Sequence, residues 1–241
     1  MYIERTYRQE LTGKDLVSFE VKLNQSDLFI LAERALSEQA HNSLAAHRRL
    51  VEEYIKRHPE FATTLKPYSA KEKPSAIIRE MIEASAAADV GPMATVAGAV
   101  AEYVGRDLLQ YSSQVIIENG GDIFIKINQL KKVGIFAGVS RYSGKLALEV
   151  RPEETPLGIC TSSGTVGPSL SFGHADAAVA VCNSAILADA WATRLGNMLK
   201  SPADLKQALR FVKSKPEIKG VVLIIADKIG ACGDIKLIQS S

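Results

Sequence analysis

The chain has 241 residues, 46% of them hydrophobic and 23% charged, which leaves room for a substantial core and fits an ordinary soluble globular protein. Its 29 basic and 27 acidic residues are interspersed and sum to +2, which excludes broad steering toward nucleic acid or an anionic membrane. Apolar runs such as Val221–Ala226 are far too short to span a bilayer, and Met1–Glu10 carries neither a secretory nor a lipidation pattern, so the expected location is the cytoplasm.

In chain order, residues 2–23 read as a hairpin: a run over Tyr2–Gln9, turn letters at Thr12-Gly13-Lys14-Asp15, then Val17, Phe19, Val21 and Leu23 at a period of two. Ser26-Asp27 is expected to cap a long helix that ends near Arg57, where His58-Pro59 stops it. His41 and His47 lie six apart on that helix, the wrong spacing for one metal, and read as surface or packing residues. After a loop over Phe61–Lys73, a second helix is predicted over Ser75–Ala88 and a third from Pro92 to about Gln110, with proline in its first turn. The third carries Ala94, Ala97, Gly98, Ala101 and Gly105, small residues that allow close packing, and Met93, Ala94 and Thr95 at its start, where free amides suit an anion.

From Val115 the pattern turns to strands: Val115–Asn119 and Asp122–Ile125 around Gly120-Gly121, then Val133–Ala137, a turn at Arg141–Gly144, and Leu146–Val150 with Leu146, Leu148 and Val150 on one face. Gly158–Thr161 leads into the loop Ser162–Ser169. Ala175–Cys182 reads as a buried strand, and Asn183-Ser184 caps a helix to about Leu199. Ser201-Pro202 opens one more helix, and strands Val221–Ala226 and Ile229–Ile238 flank a turn at Asp227-Lys228. Cys160, Cys182 and Cys232 are far apart and form no Cys-x-x-Cys pair, so reduced thiols are expected, with Cys160 and Cys182 as small core residues.

Two features carry possible chemistry. Asn119-Gly120-Gly121-Asp122 leaves bare backbone that a metal or phosphate could approach, although the same letters make a plain hairpin. Asp189 and Thr193 stand four apart on a helix, which places their Cβ atoms about 5–6 Å apart on one face. Carboxylate and hydroxyl are hard ligands suited to Mg²⁺, and a carbonyl from the glycine turn could add a third oxygen; the plain alternative is two polar residues on a partly exposed face. The Ser162-Ser163-Gly164 loop lacks a nucleophile signature, which leaves phosphate or ribose contact or a flexible turn. Asp122 and Asp176 read chiefly as residues that orient turns.

Asn119-Gly120-Gly121-Asp122-Ile123, then Thr161-Ser162-Ser163-Gly164, then Ser184-Ala185 with Ala188-Asp189-Ala190-Trp191-Ala192-Thr193 resembles the ApbE-like superfamily, whose best-known members are FAD:protein FMN transferases. With Gly91-Pro92-Met93-Ala94 and Ala97-Gly98-Ala99, the likeness is closer to the UPF0280 branch and covers nearly the whole chain; the transferase motifs cover residues 118–197. The resemblance implies one domain over residues 1–241 with an α+β fold of antiparallel sheets and packed helices, related to the T-fold. It also implies Mg²⁺ held by Asp189, Thr193 and the Asn119 carbonyl. FAD or a related nucleotide would be met by Gly120, Gly121, Asp122, Thr161, Ser162, Ser163, Gly164, Met93 and Ala94. With one carboxylate, about three of six octahedral positions stay open, and the metal would be held weakly until a pyrophosphate fills them.

Glu118 stands where the family has Asn, and the family's His-x-x-Asp-Pro segment is absent; His174 is the histidine offered as general acid or base, against a structural role. The implied activity is transfer of FMN from FAD to a hydroxyl of an acceptor protein. The alternatives are a nucleotide-binding module without transfer chemistry and an assembly protein that self-associates through its small-residue helix.

Overall fold

The computed structural model describes residues 15–165 and 172–240. The expected strand over Tyr2–Gln9 and the loop residues Val166–Ser169 lie outside the described residues. Strand β1 (Val17–Leu23) turns at Asn24, which adopts a left-handed φ of 52°, into β2 (Ser26–Ala32), and the two pair antiparallel from Val17 opposite Ala32 to Leu23 opposite Ser26. This corrects the helix expected from Ser26-Asp27. The letters that cap helices also make turns, and the run Leu28–Ala32 is short enough to serve either element; pairing with strands on both sides makes it a strand. The helix begins instead at Ser37, as α1 (Ser37–Arg57), and ends where His58-Pro59 predicts.

A short helix α2 (Glu60–Thr63) interrupts the expected loop, and α3 (Ala76–Ala88) follows. Pro92–Thr95 forms a 3₁₀ turn that runs into α4 (Val96–Leu108). The second half adds β3 (Val115–Asn119), β4 (Asp122–Lys126), β5 (Lys131–Gly134), β6 (Leu146–Val150), β7 (Leu157–Ser162), β8 (Ala177–Cys182), α5 (Ala185–Met198), α6 (Leu205–Val212), β9 (Ile218–Ile225), β10 (Lys228–Gly233) and β11 (Lys236–Gln239). The single strand expected over Ile229–Ile238 is two, broken after Gly233, whose φ of 101° turns the chain from one sheet to the other.

Among the described residues, all strand pairs are antiparallel. Eight strands form one sheet in the order β1-β2-β3-β4-β7-β8-β9-β10, and β11-β6-β5 form a second. Alternation divides the large sheet's side chains between two cores. Ile117, Phe124, Cys160, Ala180 and Leu223 face the helices, whereas Ile116, Ile123, Ile159, Val179 and Val222 face the small sheet. The central strands β8 and β9 are therefore apolar on both faces, which is why Ala177–Cys182 reads as an unbroken apolar run. The architecture is α+β, with helices on one face and sheet on the other. Among the described residues, no helix is long and apolar enough to cross a membrane.

Candidate functional site

The β3–β4 turn needs two residues at positive φ, and Gly120 (69°) and Gly121 (105°) supply them. A Cβ on Gly120 would meet open space, and one on Gly121 would lie 3.7 Å from the Thr161 carbonyl, so the turn stands free on one side and rests against the end of β7 on the other. Asn119 pairs with Asp122 across the hairpin, and Asp122 pairs with Cys160 of β7. Strand alternation sends Asn119, Asp122 and Cys160 to the helical face, together with Ile117 and Phe124. Glu118 has the opposite parity, and its Oε1 accepts the Gly121 amide at 2.7 Å, which steadies the turn.

On the helical face, α4 and α5 touch at Gly98. A Cβ there would lie 2.3 Å from the Ala185 carbonyl oxygen and 2.9 Å from the Asp189 Cβ, so only bare backbone fits. The contact lets the Gly98 amide donate to Asp189 Oδ2 at 2.9 Å, and the Ala97 amide also bonds this carboxylate. The Ala97 carbonyl accepts from Asn119 Nδ2 at 3.0 Å. The first turn of α4 thus joins the glycine turn to α5 and uses its free amides on a carboxylate of the protein itself. One turn further along, the buried Glu102 accepts from Ser184 Oγ (2.7 Å), the Ala185 amide (2.6 Å) and the Ile186 amide (3.2 Å), while Arg106 flanks it. This carboxylate caps α5, alongside the expected Ser184 cap on the Leu187 amide, and fixes where Asp189 and Thr193 fall.

Asp122 and Asp189 are 7% and 8% exposed. Burial raises the Asp189 pKa to about 7 against the pull of the Gly98 and Ala97 amides. Asp122 is pushed well above the carboxylate range, first by burial and then by the Asp189 charge, with a smaller push from Glu118. Opposing this are only the Cys160 thiol and the Thr161 amide. Burial and the two carboxylates drive the Cys160 thiol far up as well, so it stays neutral, and its single S–H is shared between Asp122 and the Ala185 carbonyl, 3.3 Å from Sγ. Among the described residues, neither carboxylate has a salt bridge, and Asp122 Oδ1 is buried without a hydrogen-bond partner.

Thr193 follows Asp189 by one turn and is half-buried. Thr161 and Ser162 are half-buried at the end of β7, and Ser162 Oγ lies against Gly196, where a Cβ would be 3.2 Å away. Ser163 and Gly164 fold back on the chain before β8: the Gly164 amide and Ser163 Oγ both donate to the Ala175 carbonyl, at 2.8 and 3.5 Å. Asp176 holds the same loop, accepting from Thr165 Oγ1 at 3.3 Å and from the Ala226 amide at 2.7 Å. His174 is exposed beside Gly164 and its amide donates to the Leu199 carbonyl. Met93 and Ala94 lie half-buried in the 3₁₀ turn, with the Ala94 amide already bonded to the Gly91 carbonyl.

The fold therefore brings together Asn119, Gly120, Gly121, Asp122, Thr161 and Asp189. Ser163, Gly164 and His174 form a neighbouring loop. Sequence reasoning missed the Ala97 and Gly98 amides, the Glu102 cap and the pairing of Asp122 with Cys160; a period of four from Gly98 to Glu102 is the one local signal for any of them. Among the described residues, no three His, Cys, Asp or Glu side chains converge as a metal cluster. A cation here would rely on carboxylates supplemented by hydroxyl and carbonyl oxygens, a hard donor set that fits Mg²⁺ or Mn²⁺. The orphaned Asp122 oxygen is the observation that favours that fit.

A family model described as "AbpE bacteria" matches residues 8–226. A UPF0280 protein of Methanocella arvoryzae is 38% identical over 213 residues, covering 88% of this chain and 86% of the relative. A UPF0280 protein of Methanoculleus marisnigri is 40% identical over 216 residues, covering 89% and 87%. Among solved structures, the Pseudomonas stutzeri flavinyl transferase ApbE in its apo form superposes with a TM-score of 0.58 at 12% identity, covering 90% of this chain and 94% of that one. The ApbE protein of Thermotoga maritima gives 0.58 at 11% identity, covering 89% and 96%. The structures share the fold, the relatives share the sequence, and the chain belongs to the ApbE-like proteins, in the UPF0280 family.

Proposed function

We propose that this chain is a divalent-cation-dependent flavin- or nucleotide-binding protein that transfers FMN from FAD to a hydroxyl of an acceptor protein. The observation that carries the reading is a pair of buried carboxylates, free of any salt bridge among the described residues, beside a glycine turn that leaves backbone open to a ligand. Asp189, Thr193 and the Asn119 carbonyl hold the cation, and the exposed side of Gly120 together with Thr161 and Ser162 receives the nucleotide. When bound, the cation supplies positive charge to a pyrophosphate. The protein's own contribution is orientation: the Ala97 and Gly98 amides fix the Asp189 carboxylate, and Glu102 fixes the helix that carries it. In the transfer, the acceptor hydroxyl oxygen bonds to the FMN phosphorus and gives up its proton to solvent, the bond from that phosphorus to the AMP oxygen breaks, and AMP departs. The flavin arrives attached to the protein hydroxyl.

Incubation with FAD, Mg²⁺ and hydroxyl-bearing acceptor peptides is expected to release AMP and leave a peptide carrying the mass of FMN. Asp189→Asn is expected to reduce the rate at least a hundredfold. Absence of both flavin binding and AMP release overturns the flavin reading, whereas tight binding with FAD recovered intact replaces transfer by a binding module.

A further inference from the structure

We propose that Asp122 joins Asp189 in holding the divalent cation, so that the protein takes up Mg²⁺ or Mn²⁺ without any nucleotide. The inference rests on the cation-dependent reading above and departs from it in the number of charges that meet the metal.

Three geometric observations place Asp122 in the site. Its register opposite Cys160 and its parity with Phe124 send its side chain to the helical face, where α5 lies. The Cys160 Sγ reaches the Ala185 carbonyl of α5, and Ala185 is one turn before Asp189, so Cys160 stands between the β4 carboxylate and the helix that carries the other. The first turn of α4 closes the arrangement from the third side: its Ala97 carbonyl takes Asn119 Nδ2, from the residue paired with Asp122, while its amides hold Asp189.

The independent observation is Asp122 Oδ1 itself, on a side chain more than nine-tenths buried and without a hydrogen-bond partner among the described residues. A buried carboxylate oxygen left unbonded is costly, and proteins satisfy such atoms with a donor, a water or an ion. The thiol and amide donors around Asp122 and the amides around Asp189 satisfy part of each carboxylate and supply no full positive charge. A divalent cation balances the two negative charges, which one carboxylate alone does not. Hard oxygens and an unreactive thiol favour Mg²⁺ or Mn²⁺ over zinc. The opposite parity of Glu118, and its bond to the Gly121 amide, keep that third carboxylate out of the coordination shell.

The test is Mn²⁺ titration of the nucleotide-free protein at pH 8, followed by electron paramagnetic resonance, on the wild type, Asp122→Asn, Asp189→Asn and Asp227→Asn, the last changing an exposed carboxylate. Saturable binding of one Mn²⁺ by the wild type and by Asp227→Asn, weakened at least tenfold in both Asp122→Asn and Asp189→Asn, is the expected result. Thermal unfolding of each variant identifies any that fails to fold, and the wild-type titration stands independently of the variants. Wild-type binding that appears only after FAD is added overturns the inference and leaves the functional reading intact; so does a folded Asp122→Asn with unchanged affinity. No Mn²⁺ binding with or without FAD overturns the inference and the cation-dependent reading together.

Discussion

A charged Asp189 is costly to the fold, because its carboxylate is buried. Its carboxyl titrates near 3.8 when exposed and near 7 in the fold, because burial disfavours the charge. Between those values the folded protein holds more protons than the unfolded chain, so stability falls as pH rises from about 4 to about 7 and then levels, by up to about 1.4 kcal/mol per pH unit for one group. Asp122 responds to the same burial in the same direction. Cation-free protein is therefore expected to melt at a lower temperature at pH 8 than at pH 5.5. Asp189→Asn is expected to raise the melting temperature at pH 8 and flatten the profile, since a neutral amide carries no buried charge and can still accept from Gly98. Calorimetry across that range, with and without Mg²⁺, checks this; an unchanged pH profile in the variant would count against it.

At the scale of elements, α4 decides where α5 sits. Gly98 permits the crossing and Glu102 caps the neighbouring helix, one turn apart on the same face of α4. Gly98→Ala places a methyl within 2.3 Å of the Ala185 carbonyl, so the helices must separate. The expected cost is about 1–3 kcal/mol, together with loss of the Asp189 anchor and weaker Mn²⁺ binding. Glu102→Ala leaves the first amides of α5 without their acceptor and is expected to cost about 1–3 kcal/mol in chemical denaturation. The helices α3 and α5 and the Gly-Gly hairpin were legible because their signals are local: periodicity, a Ser184 cap and residues that tolerate positive φ. Strand β2 was not, since Leu28–Ala32 fits either element and its pairing with β1 and β3 is nonlocal.

Across the whole molecule, the large sheet separates two cores, and the candidate site belongs to the one beneath the helices. Leu148, buried between the sheets, is on the other side. Leu148→Ala is expected to cost about 2–5 kcal/mol while Mn²⁺ affinity in the folded protein stays within about twofold, because additivity holds for distant residues; a large loss of affinity would show that the small sheet supports the site. By itself, the sequence determined the glycine turn, the cap of α5 and the Asp189–Thr193 spacing, since each depends on residues within a few positions of one another, whereas the α+β class came through its resemblance to the ApbE-like superfamily. Only the tertiary structure decided that Asp122, on a strand, and Asp189, on a helix 67 positions later, share one buried space with the amides of Ala97 and Gly98. Strand register and helix crossing, set by packing over the entire core, bring those groups together.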